Sequence, residues 1–314
     1  SNMDYVLVSF LVAEKTALSY AVGEWARIWP LQTLIKSMGA FFVRRESGNA
    51  LYRRVLERYV NLATRAGVVQ AVFLEGGLSK DGKLRQPRQG FLDYMLRDYH
   101  IDIDRDVVLV PVGINYDRVI EDISLVRKLD ASAKRRSLWF IVKTTLGFIT
   151  KVLLMGRKKR WLRFGYASVN FGKPVSIKQY CNEQNIDLSK IEASQRMTFV
   201  EKLSHRLMQE IEQIIPVLPM ALMCEIVLDN QQDWLDELVL KSKAAKRIET
   251  LRDIGAPINL SANACEGVLN GALTMLKGRG FIDSEDGLLR ARPESLDLIK
   301  YYANSISHWR SAQV

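Results

Sequence analysis

The chain has 314 residues, 48% hydrophobic and 25% charged, which is enough for two domains and argues against global disorder. Cys181, Cys224 and Cys265 lie far apart, with no CxxC spacing, and His100, His205 and His308 are equally scattered; this argues against a metal site or a disulfide framework and fits a reducing compartment. The net charge of +10 is concentrated in residues 127–163, where twelve Lys/Arg face one acid, Asp130, so that segment carries +11 and the rest is close to neutral.

In chain order, "MDYVLVSFLVA" is apolar and of helix length. "ALSYAVGEWARIWPLQTLIKSMG" reads as a strand followed by a helix ending near Gly39, and "AFFVRR" as a strand. "ALYRRVLERYVNLATRAG" has helical periodicity, with Leu51, Val55, Leu56, Tyr59 and Leu62 on one face, and stops at Gly67. "VVQAVFLE" and "DVVLVPVGINY" are continuous apolar runs that predict two further strands, and "GYASVNFGKPVSI" predicts another with a Gly-Lys-Pro turn. Helices alternating with apolar strands imply an α/β domain with a sheet covered on both faces. From about residue 195 the pattern becomes helical, and "IPVLP" at 215–219 punctuates it. The expected division is an α/β domain over 1–215 and an α-helical domain over 216–314.

The polar start predicts no signal peptide, and no run of 18 or more residues is free of charge. Within 138–155, Lys143, Thr144, Gly147, Thr150 and Lys151 share one helix face, while Trp139, Phe140, Ile149, Val152 and Leu153 lie elsewhere. Flanked by KRR (134–136) and RKKR (157–160), this reads as an amphipathic helix on anionic headgroups; the alternative is a core helix with solvated ends. A nucleic-acid binder spreads its basic residues over a recognition surface, so nucleic acid is not an expected partner.

Two stretches carry the chemistry. "GAFFVRRESG" (39–48) is a buried-looking strand that ends in Arg44 and Arg45. "VFLEGGLSKDGKLRQPRQG" (72–90) is a strand that ends in Glu75, followed by Gly76, Gly77, Ser79, Lys80, Gly82 and Lys83; glycines there let backbone N–H groups approach an anion. Gly77 to Lys83 also satisfies GxxxxGK, but Leu84 follows instead of Ser or Thr and "RQPRQG" breaks any helix, so a nucleotide-binding loop is rejected.

Together with "VPVGINYDRV", these stretches resemble the second, third and fourth sequence blocks of the glycerolipid acyltransferases, closest to the glycerol-3-phosphate and dihydroxyacetone-phosphate branch, with lysophosphatidate acyltransferases as cousins. The tail, with "YYANSISHW" (301–309), resembles that branch's C-terminal region. The resemblance implies a mixed sheet flanked by helices with a helical C-terminal domain. It implies acyl transfer from acyl-CoA or acyl-carrier protein to glycerol 3-phosphate in phospholipid synthesis, with no metal and no bound cofactor. The implied place is the cytoplasmic face of a bacterial membrane. Acylation of lysophosphatidate is the nearest alternative, and a non-catalytic lipid-binding relative is another.

The family's first block is His-x4-Asp, in which the aspartate orients a histidine general base. Ser1-Asn2-Met3-Asp4 matches its last four residues, which makes Asp4 that aspartate and places the histidine two positions before Ser1, outside this sequence. The sequence is therefore expected to begin inside the block, or else Ser1-Asn2 is foreign and the start is Met3; either way the chain as written is expected to be catalytically impaired. Arg44 and Arg45 are implied anchors for the acceptor phosphate, helped by Ser79, Lys80 or Lys83. Glu75, Gly76 and Gly77 match the third block, and Pro111 matches the fourth block's proline, implied to shape the acyl pocket. One departure stands out: the family has arginine where this chain has Leu78, and its next arginine is Lys80, which can act only as a point charge. That substitution is expected to alter acceptor preference or weaken acceptor binding.

Overall fold

The computed structural model describes residues 1–23, 31–37, 39–44, 48–129, 165–258 and 265–311. The basic amphipathic segment expected over 127–163 therefore lies almost wholly outside the described residues, as does Arg45.

A three-stranded parallel sheet organises the N-terminal half. Its central strand is β1 (Ser19–Gly23), flanked by β2 (Ala40–Val43) and β3 (Gln70–Ala71). Tyr20 pairs with Ala40 on one side and with Ala71 on the other, so the carboxyl ends of the strands reach a common edge. Helix α1 (Asp4–Val12) covers one face, with Tyr5 stacked on Tyr20 at 5.1 Å between ring centroids. After the short α2 (Leu31–Ser37), α3 (Ala50–Arg65) covers the other face; the Asn49 side chain caps it by accepting the Tyr52 N–H, and Tyr59 meets Phe41 edge-on at 5.1 Å. On this side Leu56, Val60, helix α4 (Gly90–Leu96) and later helices share one core.

The long run from Asp106 does not form the single strand expected from it. Pro111, which has no N–H to donate, splits it into β4 (Val108–Leu109) and β5 (Val112–Tyr116). After α5 (Asp122–Val126), strands β6 (Ala167–Phe171) and β7 (Val175–Ser176) return around the Gly-Lys-Pro turn; β5 pairs antiparallel with β6, and β4 with β7. Among the described residues these ladders are not hydrogen-bonded to the parallel sheet, so one continuous mixed sheet is replaced by separate parallel and antiparallel pieces. The strand expected over Val68–Glu75 shrinks to two residues, because the chain turns at Phe73, whose carbonyl accepts the Gly76 N–H at 2.9 Å.

Helix α6 (Ile177–Gln184) and the 22-residue α7 (Ala193–Ile214) complete the first core. Asp93 of α4 is buried there and is held by Arg196 at 2.8 Å and by Arg97. Beyond a sharp bend, α8 (Pro219–Asp229) is the centre of a second core, with Pro219 in its first turn, where the missing N–H costs nothing. Around it pack α9 (Glu237–Asp253), α10 (Cys265–Gly278), α11 (Leu296–Asn304) and α12 (His308–Ser311). This C-terminal part is not purely helical: β8 (Leu235–Asp236), β9 (Ile282–Glu285) and β10 (Leu288–Ala291) form an antiparallel sheet in the order β8-β10-β9. Among the described residues no single helix is long and apolar enough to cross a membrane.

Polar contacts fasten the two cores together. Asn115 donates to the Pro216 carbonyl at 2.8 Å, and Asp117 accepts the N–H groups of Met220 and Tyr166, each at 2.9 Å. Asp122 pairs with Arg279 and accepts the Tyr302 hydroxyl. Burial pushes the Asp117 carboxyl up to about 6, against the opposing pull of its two N–H donors.

Candidate active site

Asp4 opens α1, a position that favours a negative charge because the helix N-terminus is the positive end of its dipole. Its Oδ1 accepts the Tyr116 hydroxyl at 2.8 Å from the end of β5. Burial and this carboxylate hold the Tyr116 hydroxyl protonated well beyond the ordinary tyrosine range. Glu121 grips the residues just before Asp4: its carboxylate accepts the Ser1 hydroxyl at 2.9 Å and the Asn2 N–H at 3.0 Å. A carboxylate fixed in this way can orient a neighbouring base and stabilise its charged form. Among the described residues no histidine is bonded to Asp4; His308, pushed down to about 4 by burial, bonds the Glu212 backbone in the C-terminal half.

The strand edge carries the residues that the resemblance implies for the acceptor phosphate. Arg44 follows β2 directly, with its N–H donating to the Tyr52 hydroxyl at 2.8 Å. Arg44 and Glu75 each lie four residues beyond a partner of Tyr20, on opposite sides of β1. Glu75 is partly buried and accepts the Arg85 N–H at 3.0 Å; burial raises its carboxyl above the ordinary range, and the Asp4 charge adds to the rise.

Residues 74–88 form a loop closed at its neck by the Arg88 N–H, which donates to the Leu74 carbonyl at 2.6 Å. Gly76 takes a positive φ of 64° there, and Gly77 is half-buried beside it. The tip is built around Asp81, whose carboxylate accepts the Ser79 hydroxyl at 3.0 Å and the Lys83 N–H at 3.1 Å. Lys80 and Lys83 are exposed on either side of that tip. Helix α11 holds the loop from behind: Asn304 donates to the Asp81 carbonyl at 2.8 Å, and Gly82 lies so close to the Tyr301 carbonyl that a Cβ would come within 1.9 Å of its oxygen. Leu78, which stands where the resemblance expected a cation, packs against the C-terminal core. The apolar side chain is a docking contact for the loop, which gives the departure a structural reason.

Pro111 is buried; its carbonyl accepts the Gly172 N–H at 2.8 Å, and its ring packs on Gly172. Sequence reasoning did not single out Tyr116, Glu121, Arg88, Tyr301 or Asn304 as members of this site. Tyr116 lies inside the fourth block and Glu121 follows it closely, while Tyr301 and Asn304 lie inside the tail motif, so both segments carried a signal without naming these side chains.

The chain matches two family models: the acyltransferase model over residues 1–115 and the glycerol-3-phosphate acyltransferase C-terminal region over residues 149–311. It belongs to the glycerolipid acyltransferase family. The motif resemblance is thereby borne out. It is 28% identical to the glycerol-3-phosphate acyltransferase of Shewanella woodyi, with 98% of this chain and 38% of that relative covered. It is 25% identical to the Glaesserella parasuis enzyme of the same name, again over 98% of this chain and 38% of the relative. To the Pseudomonas syringae pv. tomato enzyme it is 26% identical, over 98% and 37%. The chain thus spans well under half the length of these curated relatives. Within this chain Asp4 lies in electrostatic reach of Glu75, which opens the loop 74–88, and Arg44 follows the neighbouring strand β2; Arg45 lies outside the described residues.

Proposed function

We propose that this protein transfers a fatty acyl group from a thioester, acyl-CoA or acyl-carrier protein, to the hydroxyl of glycerol 3-phosphate. The observation that carries this reading is the convergence of a Tyr116-fixed Asp4 with Glu75 beside the edge where Arg44 emerges. An alcohol is a weak nucleophile at neutral pH, so its attack on the thioester carbonyl needs a base to take its proton. In this reading Asp4 orients a histidine base, as in the family's His-x4-Asp block. The C–O bond forms, the C–S bond breaks, and the proton passes to the departing thiolate; the sequence of events needs no metal or cofactor. Arg44, Arg45 and the loop with Ser79, Lys80 and Lys83 bind the acceptor phosphate, and arginine suits it through paired hydrogen bonds. Pro111 shapes a wall of the acyl pocket.

The reading places the protein on the cytoplasmic face of a bacterial membrane. Besides the basic segment at 127–163, α3 supports this. Leu51, Val55, Tyr59 and Leu62 are all exposed on one side of that helix, and Arg54, Arg58 and Arg65 run along the edge of the stripe. An apolar stripe edged with cations fits an anionic bilayer surface.

The test is CoA release from palmitoyl-CoA in phospholipid vesicles by the intact protein that carries this sequence. Glycerol 3-phosphate, dihydroxyacetone phosphate and lysophosphatidate are compared as acceptors. Preferred turnover with glycerol 3-phosphate is expected. Preference for lysophosphatidate moves the protein to the cousin branch, and binding to vesicles without turnover on any acceptor replaces the reading with a lipid-binding role.

A further inference from the structure

The loop 74–88 carries Lys80, Lys83, Arg85 and Arg88, and the structure does not treat them alike. Lys80 and Lys83 flank Asp81 and Gly82, the part of the loop seated on Tyr301 and Asn304 of α11. Arg85 contributes its backbone N–H to Glu75. Arg88 closes the neck of the loop, so its backbone is pinned beside Leu74, next to the carboxylate turn. Its side chain then runs back across Gly76: a Cβ on that glycine would lie 2.8 Å from Arg88 Cγ, 3.0 Å from Cδ and 3.3 Å from Nε. Gly76 is therefore required twice, for its positive φ and for the space that the arginine stem occupies.

Arg88 is exposed: its stem packs against the Gly76 turn, and its guanidinium is turned to solvent at the sheet edge. Among the described residues nothing hydrogen-bonds or pairs with the Arg88 guanidinium. It stands on the β3 side of β1, as Arg44 stands on the β2 side. Leu74, to which Arg88 is pinned, follows β3 by three residues, and Arg44 follows β2, so the two arginines belong to neighbouring segments at the same edge of the parallel sheet, where paired hydrogen bonds from both suit one phosphate.

We propose that Arg88 is an acceptor-binding residue of this protein, gripping the phosphate of the acceptor from the side of the sheet edge opposite Arg44. It takes the place of the cation that Leu78, turned into the C-terminal core, does not provide. This inference rests on the acyltransferase reading of the same site.

The experiment compares wild type, Arg88→Ala, Arg88→Lys and Lys83→Ala in the intact protein. It measures KM for glycerol 3-phosphate, KM for palmitoyl-CoA, inhibition by inorganic phosphate, and Tm. Arg88→Ala is expected to raise the acceptor KM roughly 10- to 100-fold, as loss of a charge-assisted pair does. Phosphate inhibition should weaken in parallel, with donor KM and Tm unchanged; Arg88→Lys should recover only part, because a point charge cannot form the paired bonds. Lys83→Ala should have a smaller effect. An acceptor KM within twofold of wild type in Arg88→Ala overturns the proposal and leaves the acyltransferase reading standing. So does an equal rise in both KM values with a fall in Tm, which would mark a purely structural arginine. If wild type acylates no phosphate acceptor, the reading fails, and direct titration with inorganic phosphate decides the rest: binding lost in Arg88→Ala supports the site, and binding equal in both proteins overturns it.

Discussion

The two halves of the molecule bury their apolar residues very differently. In the C-terminal half α8 is surrounded: every residue from Pro219 to Val227 is buried, polar Glu225 among them, and Glu225 is compensated by Arg247 and Arg310. In the N-terminal half α3 turns Leu51 out at 72% exposure and Val55 at 59%, and α1 leaves Phe10 at 77%. The half that carries Asp4, Arg44 and Glu75 is the open one, and the closed half lends it rigidity through Leu78, Gly82, Asp81 and Asp117. In the proposed function, an acyl chain and a membrane-borne product call for open apolar surface, and a loop proposed to hold a phosphate calls for a stiff support.

Breaking the closed half should have the largest effect on stability. Leu222 is 1% exposed at the centre of the second core, and Leu222→Ala should lower unfolding stability by about 3 kcal/mol in chemical denaturation. A loss below about 1 kcal/mol would mean that this core is looser than its packing shows. Asp117 ties the halves together and titrates abnormally. Its folded value of about 6 lies above the ordinary 3.8, so between those values the folded state binds more protons than the unfolded one. Its contribution is therefore fully present below the ordinary value and is lost as pH rises through 6, on the order of 3 kcal/mol. Asp117→Asn should flatten that part of the stability–pH curve; an unchanged slope would assign it to other groups.

The seam between the halves can be probed at Gly82. Its φ of +84° and the nearby Tyr301 carbonyl leave no room for a side chain, so Gly82→Ala must push the loop off α11. Acceptor KM should rise roughly tenfold while the donor KM stays put, since a small misplacement of a binding loop is costly; equal effects on both substrates would contradict a loop dedicated to the acceptor. The smallest effect on stability belongs to the open half. Leu51→Gln with Val55→Gln should change stability by no more than about 0.5 kcal/mol, because both side chains already face solvent. Cosedimentation with phosphatidylglycerol vesicles should nevertheless fall; undiminished binding would remove α3 from the membrane contact.

Much of this contrast was legible in the sequence, and the parts that were not have physical causes. The limits of α1, β2 and α3 follow from periodicity and from the glycines at 39 and 67, and Arg44 emerges at its strand end as the sequence implies. Periodicity marks a helix face as apolar without saying what covers it, so α3 reads like a core helix while its stripe stays exposed. The run through Pro111 reads as one strand because apolar content continues across a residue that cannot pair. Leu78 reads as a lost cation until its packing partner is known, and that partner comes from the other end of the chain. Arg88 is invisible for the same reason: only the fold of the loop brings residue 88 back over residue 76.

In the proposed reaction the Asp4 carboxylate, fixed by Tyr116, serves acyl transfer. The most direct measurement is glycerol 3-phosphate-dependent CoA release by Asp4→Asn in the intact protein, alongside its Tm. The account predicts a rate lower by on the order of 10³- to 10⁴-fold, as for other aspartates that orient a catalytic histidine, in a protein that melts like wild type. A variant that folds normally and keeps near-wild-type turnover would contradict it.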